Sequence, residues 1–186
     1  MVMLSDLIRN GSLITLPNFL HDYEELDSKK ESYQYQATHQ PKLIQYGNRF
    51  QSTPCWETEN LKDIDNPMHI SIKKQLELLL GQEIIEFHCR IRCTKSSELK
   101  KSPQYKDNNI GMIHADEDNI AGVLPFDQSF TGGTAFFSHS WDKVPDITHG
   151  AWPNRLILYN GKRNHAACQD FTFENRYMLI LFFNLA

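Results

Sequence analysis

Residues 110–186 decide the fold: IGMIHADEDNIAGVLPFDQSFTGGTAFFSHSWDKVPDITHGAWPNRLILYNGKRNHAACQDFTFENRYMLILFFNLA. They read as short strands separated by turns. IGMIHA and IAGVLPF flank the turn EDN, TAFFSH follows the turn TGG, and NHAAC and RYMLILFFN finish the chain. LILY ends in Asn160-Gly161, the dipeptide that most strongly favours a two-residue hairpin turn. Evenly spaced short strands of this kind predict an antiparallel β-sandwich or jelly roll.

The residues before this stretch supply helices and one long strand. LITL (13–16) is a short strand, and DYEELDSKKESY (22–33) is a polar helical stretch. In NPMHISIKKQLELLLG (66–81), Asn66 suits an N-cap, Pro67 a first helical position and Gly81 the position past the end. Ile72, Leu76, Leu79 and Leu80 form its apolar face. The segment EIIEFHCRIRCT (83–94) alternates as a strand. Phe87, Cys89, Ile91 and Cys93 face one way; His88, Arg90 and Arg92 face the other. The region from Pro41 to Pro54 reads as irregular. The expected class is therefore mostly β, with N-terminal helices packed on one sheet.

Composition narrows the function classes. The chain has 186 residues, of which 40% are hydrophobic and 23% charged, close to globular averages. No internal repeat or low-complexity linker divides it, so a single domain over residues 1–186 is expected. No apolar run approaches the ~20 residues that cross a bilayer. Asp6, Arg9 and Asn10 interrupt the opening where a secretory core would be unbroken, so a cytoplasmic protein is expected. A net charge of −4 gives no general attraction to phosphate backbones and disfavours a nucleic-acid substrate. Cys55, Cys89, Cys93 and Cys168 form no CxxC pair and read as reduced thiols.

Three residues are candidates for one metal site. His114 and Asp116 are two apart on an expected strand and so project to the same face. Taken alone they also fit a surface histidine and a turn-capping aspartate. His165 follows the Asn160-Gly161 turn where a strand re-enters the sheet; by itself it also fits a solvated turn histidine. Together the three make a 2-His-1-carboxylate set, the arrangement of non-haem Fe(II) oxygenases. Arg176 opens an otherwise apolar strand, where a guanidinium is costly unless it meets an anion. That anion is either a ligand carboxylate or a structural partner such as Asp170 or Glu174.

HADED (114–118), TGGTAFF, NRLILYNGKRNHAA and RYMLILFF together resemble the Fe(II)/2-oxoglutarate-dependent dioxygenases, in their prolyl-hydroxylase-like branch. The resemblance covers roughly residues 83–186, and more weakly LITLPNFL. It implies a double-stranded β-helix (a cupin-like jelly roll) over about 83–186, with an α/β support region over about 1–82. It further implies that His114, Asp116 and His165 ligate Fe(II), and that Arg176 pairs with the distal carboxylate of 2-oxoglutarate. The implied reaction uses O2 and hydroxylates a C–H bond of a peptidyl proline, an amino acid or another small molecule, with release of succinate and CO2. The readings set against it are a non-catalytic jelly-roll binding or structural protein and a cupin-type metal enzyme that uses no 2-oxoglutarate.

One position departs from the family pattern. Many relatives carry Ser or Thr two residues after the co-substrate arginine, where this chain has Met178, so a second hydrogen bond must come from elsewhere. Tyr105 is a candidate co-substrate contact. Arg92, or its neighbour Arg90, is a candidate for an anionic group of substrate or co-substrate, against a solvated sheet face. His139 and His149 are alternatives to His165 as third ligand. Trp141 and Trp152 either face substrate from a lid or pack in the core. A zinc site of His88, Cys89 and Cys93 is rejected, because those ligands point to opposite sides of one strand.

Overall fold

A computed structural model describes residues 3–38, 55–102, 105 and 109–186. The reading of Pro41 to Pro54 as irregular falls outside the described residues. Two antiparallel sheets face one another. The larger holds β1 (Ile14–Leu16), β2 (Gln36–Ala37), β3 (Trp56–Glu57), β4 (Ile84–Lys95), β5 (Ile120–Pro125), β8 (Leu156–Asn160) and β10 (Asn175–Leu185), in the order β1-β8-β5-β10-β4-β3-β2. The smaller holds β6 (Ser129–Phe136), β7 (Ile147–Ala151) and β9 (His165–Cys168), in the order β7-β6-β9. This is the jelly roll expected from the strand spacing.

Among the described residues the α-helices are α1 (Leu4–Arg9), α2 (Tyr23–Lys29), α3 (Met68–Leu80) and the short α4 (Ser96–Leu99). The first three cover the outer face of the larger sheet. Ile8, Leu26, Ile72, Leu76 and Leu80 pack there against Ile91, Leu124, Leu158, Leu179 and Leu181 in one buried cluster. The caps of α3 follow the sequence closely. Asn66 Oδ1 accepts the Met68 N–H at 3.0 Å, and Gly81 ends the helix in the left-handed region at φ 66°. Pro67, expected inside the helix, is the residue just before it. No described helix is long and apolar enough to cross a membrane.

Strand alternation gives the larger sheet two unlike faces. On β10, Leu179, Leu181 and Phe183 face the helices, so Arg176, Met178, Ile180 and Phe182 face the smaller sheet. Arg176, Met178, Ile180 and Phe182 pair with Thr94, Arg92, Arg90 and His88 of β4. The polar residues of β4 therefore line the space between the sheets, as their alternation predicts. Tyr159 and Ala121 meet Phe136 across that space in a second buried cluster.

Two expectations need correction. IGMIHA is not a continuous strand. It touches β9 through two isolated bridges, Ile110–Cys168 and His114–His165, and four steps on its side span three on the other. That slip of one residue breaks the ladder, as a bulge does. Asn160-Gly161 does not close a hairpin either, because β8 lies in the larger sheet and β9 in the smaller. The turn carries the chain across the barrel, with the Gly161 N–H bonded to Asn119 O at 3.1 Å and the Arg163 N–H to Asn160 O at 2.9 Å. Helix α1, absent from the sequence reading, is six residues long and too short to show a periodic pattern.

Leu76 is fully buried between α3 and the sheet, whereas Leu78 is 87% exposed on the same helix. Leu76→Ala is expected to cost about 2–5 kcal/mol in urea unfolding, and Leu78→Ala less than about 0.5 kcal/mol.

Candidate metal centre and anion pocket

His114 and His165 are held as a backbone pair. The His114 N–H donates to His165 O at 2.9 Å and the His165 N–H to His114 O at 2.8 Å. Directly opposed residues in an antiparallel bridge bring their side chains to the same side, and the two rings lie 4.4 Å apart. Asp116 is anchored by its own N–H to Gly161 O at 2.8 Å. Its carboxylate stands 3.6 Å from His114 Nε2 and 3.4 Å from His165 Nε2. The three ligand atoms all lie within 4.8 Å of one another.

Each imidazole is also fixed in tautomer. His114 Nδ1 lies 2.9 Å from Met112 O, and His165 Nδ1 lies 2.8 Å from Arg163 O. A carbonyl only accepts, so each Nδ1 carries the proton and each Nε2 offers a lone pair. Orientation of metal-binding histidines by a carbonyl on the far nitrogen is a common supporting feature of metal sites. Burial above all, together with the charge of His114, pushes His165 down to about 3, so its ring is neutral, the form that binds metal. Phe136 and Tyr159 pack their rings 6.3 and 4.8 Å from His165 and close this side to water. His114 remains about one-third exposed, so the group opens toward solvent on one side only.

Arg176 lies at the buried end of the same interior. Neither Asp170 nor Glu174 pairs with it; among the described residues no carboxylate lies within 4.0 Å of its guanidinium. Asp170 is instead taken up by the Ser129 hydroxyl at 2.5 Å and the Thr172 hydroxyl at 2.6 Å. Arg176 Nη1 donates to Cys168 O at 3.0 Å and, loosely, to Gln169 Oε1 at 3.5 Å, while its Nε is buried with no partner. An unmatched buried donor costs about 1–3 kcal/mol. A carboxylate ligand would remove that cost.

TGG, expected as a turn, lies inside β6 at a register shift against β7, and its glycines make room for this guanidinium. A Cβ at Gly132 would fall 2.5–2.7 Å from three guanidinium atoms. At Gly133 the backbone has φ 144°, and a Cβ would lie 1.8 Å from His149 O where β6 slips register against β7.

The other candidates separate clearly. Arg92 faces the interior, with Nη2 2.6 Å from Glu57 Oε1; Arg90 reaches the same carboxylate at 3.5 Å. Burial opposes the charge of Arg92, but Glu57 outweighs it and holds the guanidinium protonated. Tyr105 is buried edge-on to Phe171, and its hydroxyl would lie 2.9 Å from a Cβ at Gly111. His139 and His149 are not in the metal-ligand cluster. His139 stacks on Trp141, 75% exposed, and His149 stands edge-on to Phe136. Trp152 is also partly exposed, so neither tryptophan is a core residue. All four cysteines are free thiols. Gln169 and Glu57 were missed in the sequence, although alternation from His165 through Ala167 places Gln169 on the ligand face.

No protein-family model matches this sequence, and no curated protein matches it. Solved structures do. HygX from Streptomyces hygroscopicus, bound to nickel, 2-oxoglutarate and hygromycin B, aligns over 96% of this chain and 85% of its own, with TM-score 0.64 and 9% identity. A 2OG-Fe(II) oxygenase-family oxidoreductase from Burkholderia pseudomallei aligns over 97% and 88%, with TM-score 0.60 and 12% identity. A prolyl hydroxylase from Trichoplax adhaerens, in complex with a hypoxia-inducible-factor peptide, aligns over 97% and 87%, with TM-score 0.58 and 12% identity. The fold is that of the 2OG-Fe(II) oxygenases. The likeness is one of fold; the chemistry of this double-stranded β-helix is read from its own side chains.

Burial raises the Asp170 carboxyl, but the hydroxyls of Ser129 and Thr172 and the Thr172 N–H outweigh it and bring it from 3.8 to about 2. A lowered folded-state value contributes stability that is fully present above about pH 4 and is lost as pH falls toward 2. Ser129→Ala is expected to cost about 1.5–3 kcal/mol at pH 7. It should also show a smaller stability loss than wild type between pH 4 and pH 2, read from urea midpoints.

Proposed function

We propose that this chain is an Fe(II)- and 2-oxoglutarate-dependent dioxygenase, one jelly-roll unit over residues 1–186. The observation that carries the reading is the combination of two fixed histidine lone pairs facing one carboxylate and, in the same interior, a buried arginine with no ion-pair partner among the described residues and an unmatched Nε. A 2-His-1-carboxylate set leaves coordination positions open for other ligands. A binding protein needs no such vacancy, and a metal enzyme working without a keto acid needs no arginine of this kind.

His114 and His165 hold the metal through Nε2, and Asp116 through its carboxylate. Arg176 binds the distal carboxylate of 2-oxoglutarate by charge-assisted hydrogen bonds. When bound with O2, ferrous iron and 2-oxoglutarate supply the oxidation of a substrate C–H bond, with release of succinate and CO2. Phe136 and Tyr159 exclude water behind His165. Tyr105 is assigned to the co-substrate side.

The substrate enters from the side where His114 is exposed. It is a peptidyl proline, an amino acid or another small molecule, a range that includes the peptide and the antibiotic held by the neighbours of this fold. Arg90 and Arg92, two cations sharing Glu57, favour an anionic group on the substrate or co-substrate.

Anaerobic titration with Fe(II) and then 2-oxoglutarate tests the reading. Wild type is expected to develop the weak visible charge-transfer band of a chelated keto acid, and His165→Ala to lose it. Arg176→Gln should retain Fe(II) and weaken 2-oxoglutarate about ten- to a hundredfold, the loss of one or two charge-assisted hydrogen bonds. A wild-type protein that binds Fe(II) without the band is a metal protein of another kind. A band that survives His165→Ala refutes the ligand assignment.

A further inference from the structure

The side chain that Arg176 contacts by a hydrogen bond is that of Gln169. It is 2% exposed and follows directly on β9, where continued alternation puts it on the face of His165 and Ala167. An arginine only donates, so the 3.5 Å contact with Arg176 Nη1 fixes which end of the amide is Oε1. The Thr94 hydroxyl approaches the same Oε1 at 3.4 Å, from the position on β4 that pairs with Arg176. The other end, Gln169 Nε2, is buried with no hydrogen-bond partner. Two buried donors, Gln169 Nε2 and Arg176 Nε, are thus unmatched in one small group where every existing contact to the amide is long.

Buried polar groups in folded proteins are almost always matched, and those left unmatched need an explanation. A structural explanation fails for Gln169, since a residue kept to tie β9 to β4 would not leave its better donor idle. A ligand explanation needs an acceptor-rich group with at least two oxygens beside a guanidinium. Two residues along the same face of β10 from Arg176 stands Met178, whose side chain offers no O–H.

We propose that Gln169 supplies the second arm of the anion pocket, donating from Nε2 to the distal carboxylate of the 2-oxo diacid that Arg176 holds. Thr94 is a positioning residue that steadies the amide from the far sheet. Along a strand, His165 and Gln169 are four residues apart on one face, roughly 13 Å at 3.3 Å per residue. The metal-ligand cluster and the arginine end of the interior thus draw on the same stretch of chain, with side chains spanning the rest of that distance. This assignment rests on the function proposed above.

The test uses the full chain loaded with redox-inert Ni(II) and calorimetric titration of two ligands: 2-oxoglutarate and 2-oxopentanoate, which keeps the keto-acid end and replaces the distal carboxylate with a methyl group. Gln169→Leu is expected to weaken 2-oxoglutarate about tenfold and leave 2-oxopentanoate within about twofold. Gln169→Glu should weaken 2-oxoglutarate more, because its carboxylate would occupy Arg176 itself; it also serves if the leucine variant does not fold. Wild-type-like affinity of both variants for 2-oxoglutarate overturns the assignment. So does equal loss of both ligands, the mark of a merely structural role. If wild type binds Ni(II) but not 2-oxoglutarate, the proposed function falls and this assignment falls with it.

Discussion

The reciprocal backbone hydrogen bonds between His114 and His165 are the constraint from which the site follows. They join a loop from the middle of the sequence to the start of β9, and because the bridge is antiparallel they place both imidazoles on one side. Each ring then meets the carbonyl two residues before it in the chain, which settles its tautomer without any further side chain. Asp116 needs only one more backbone bond, to Gly161, to bring its carboxylate between them. Three ligands thus depend on three main-chain contacts, all within the corner where the chain passes from one sheet to the other.

The larger sheet makes this corner useful by keeping its two faces chemically distinct. Apolar residues of β4 and β10 bind the helices, and their partners at alternate positions fill the interior with Arg176, Thr94, Arg92 and Arg90. Exposure along β4 falls from His88, which is open, to Thr94, which is buried. The interior therefore has a wet end and a dry end. Arg176 stands at the dry end, where a charge–charge contact is least screened, and the metal ligands lie nearer the opening.

Much of this was legible in the sequence for definite reasons. The period-2 pattern of EIIEFHCRIRCT assigned both faces of β4, and Asn66 with Gly81 bracketed α3 to within a residue. The HxD pair and the later histidine, each ambiguous alone, were singled out because together they make one ligand set, and the structure brings those three together; the arginine was singled out because a guanidinium in an apolar strand is costly without a partner. What misled was local chemistry with two outcomes. Asn160-Gly161 favours a tight turn, but whether such a turn joins neighbouring strands or crosses between sheets depends on distant pairing. The segment before His114 looks like a strand because its composition is that of one; its one-residue slip against β9 leaves no trace in residue types. Gln169 was overlooked because a glutamine signals nothing by itself. Its significance comes from burial and from a missing partner, both properties of the folded chain.

Charge counting connects the two ends of the interior. A divalent metal and a dianionic diacid carry equal and opposite charge, so binding both would leave the net charge of the interior unchanged. The centre can therefore load both without accumulating charge, which keeps the desolvation penalty of each ion offset by the other. Arg90, Arg92 and Glu57 do not cancel among themselves: two guanidinium groups share a single carboxylate, and Arg90 Nε is buried without a partner. The charge of Arg92 is felt as far as His165 and Tyr159, so this surplus belongs to the same interior as the metal ligands. In the proposed reading, a centre whose charge is unchanged by loading would leave this cationic wall as the place that draws further anions. The labour then divides by position: the deep arginine, with no ion-paired carboxylate among the described residues, would serve the diacid, while the shallow pair, already holding Glu57, would bias what else comes in.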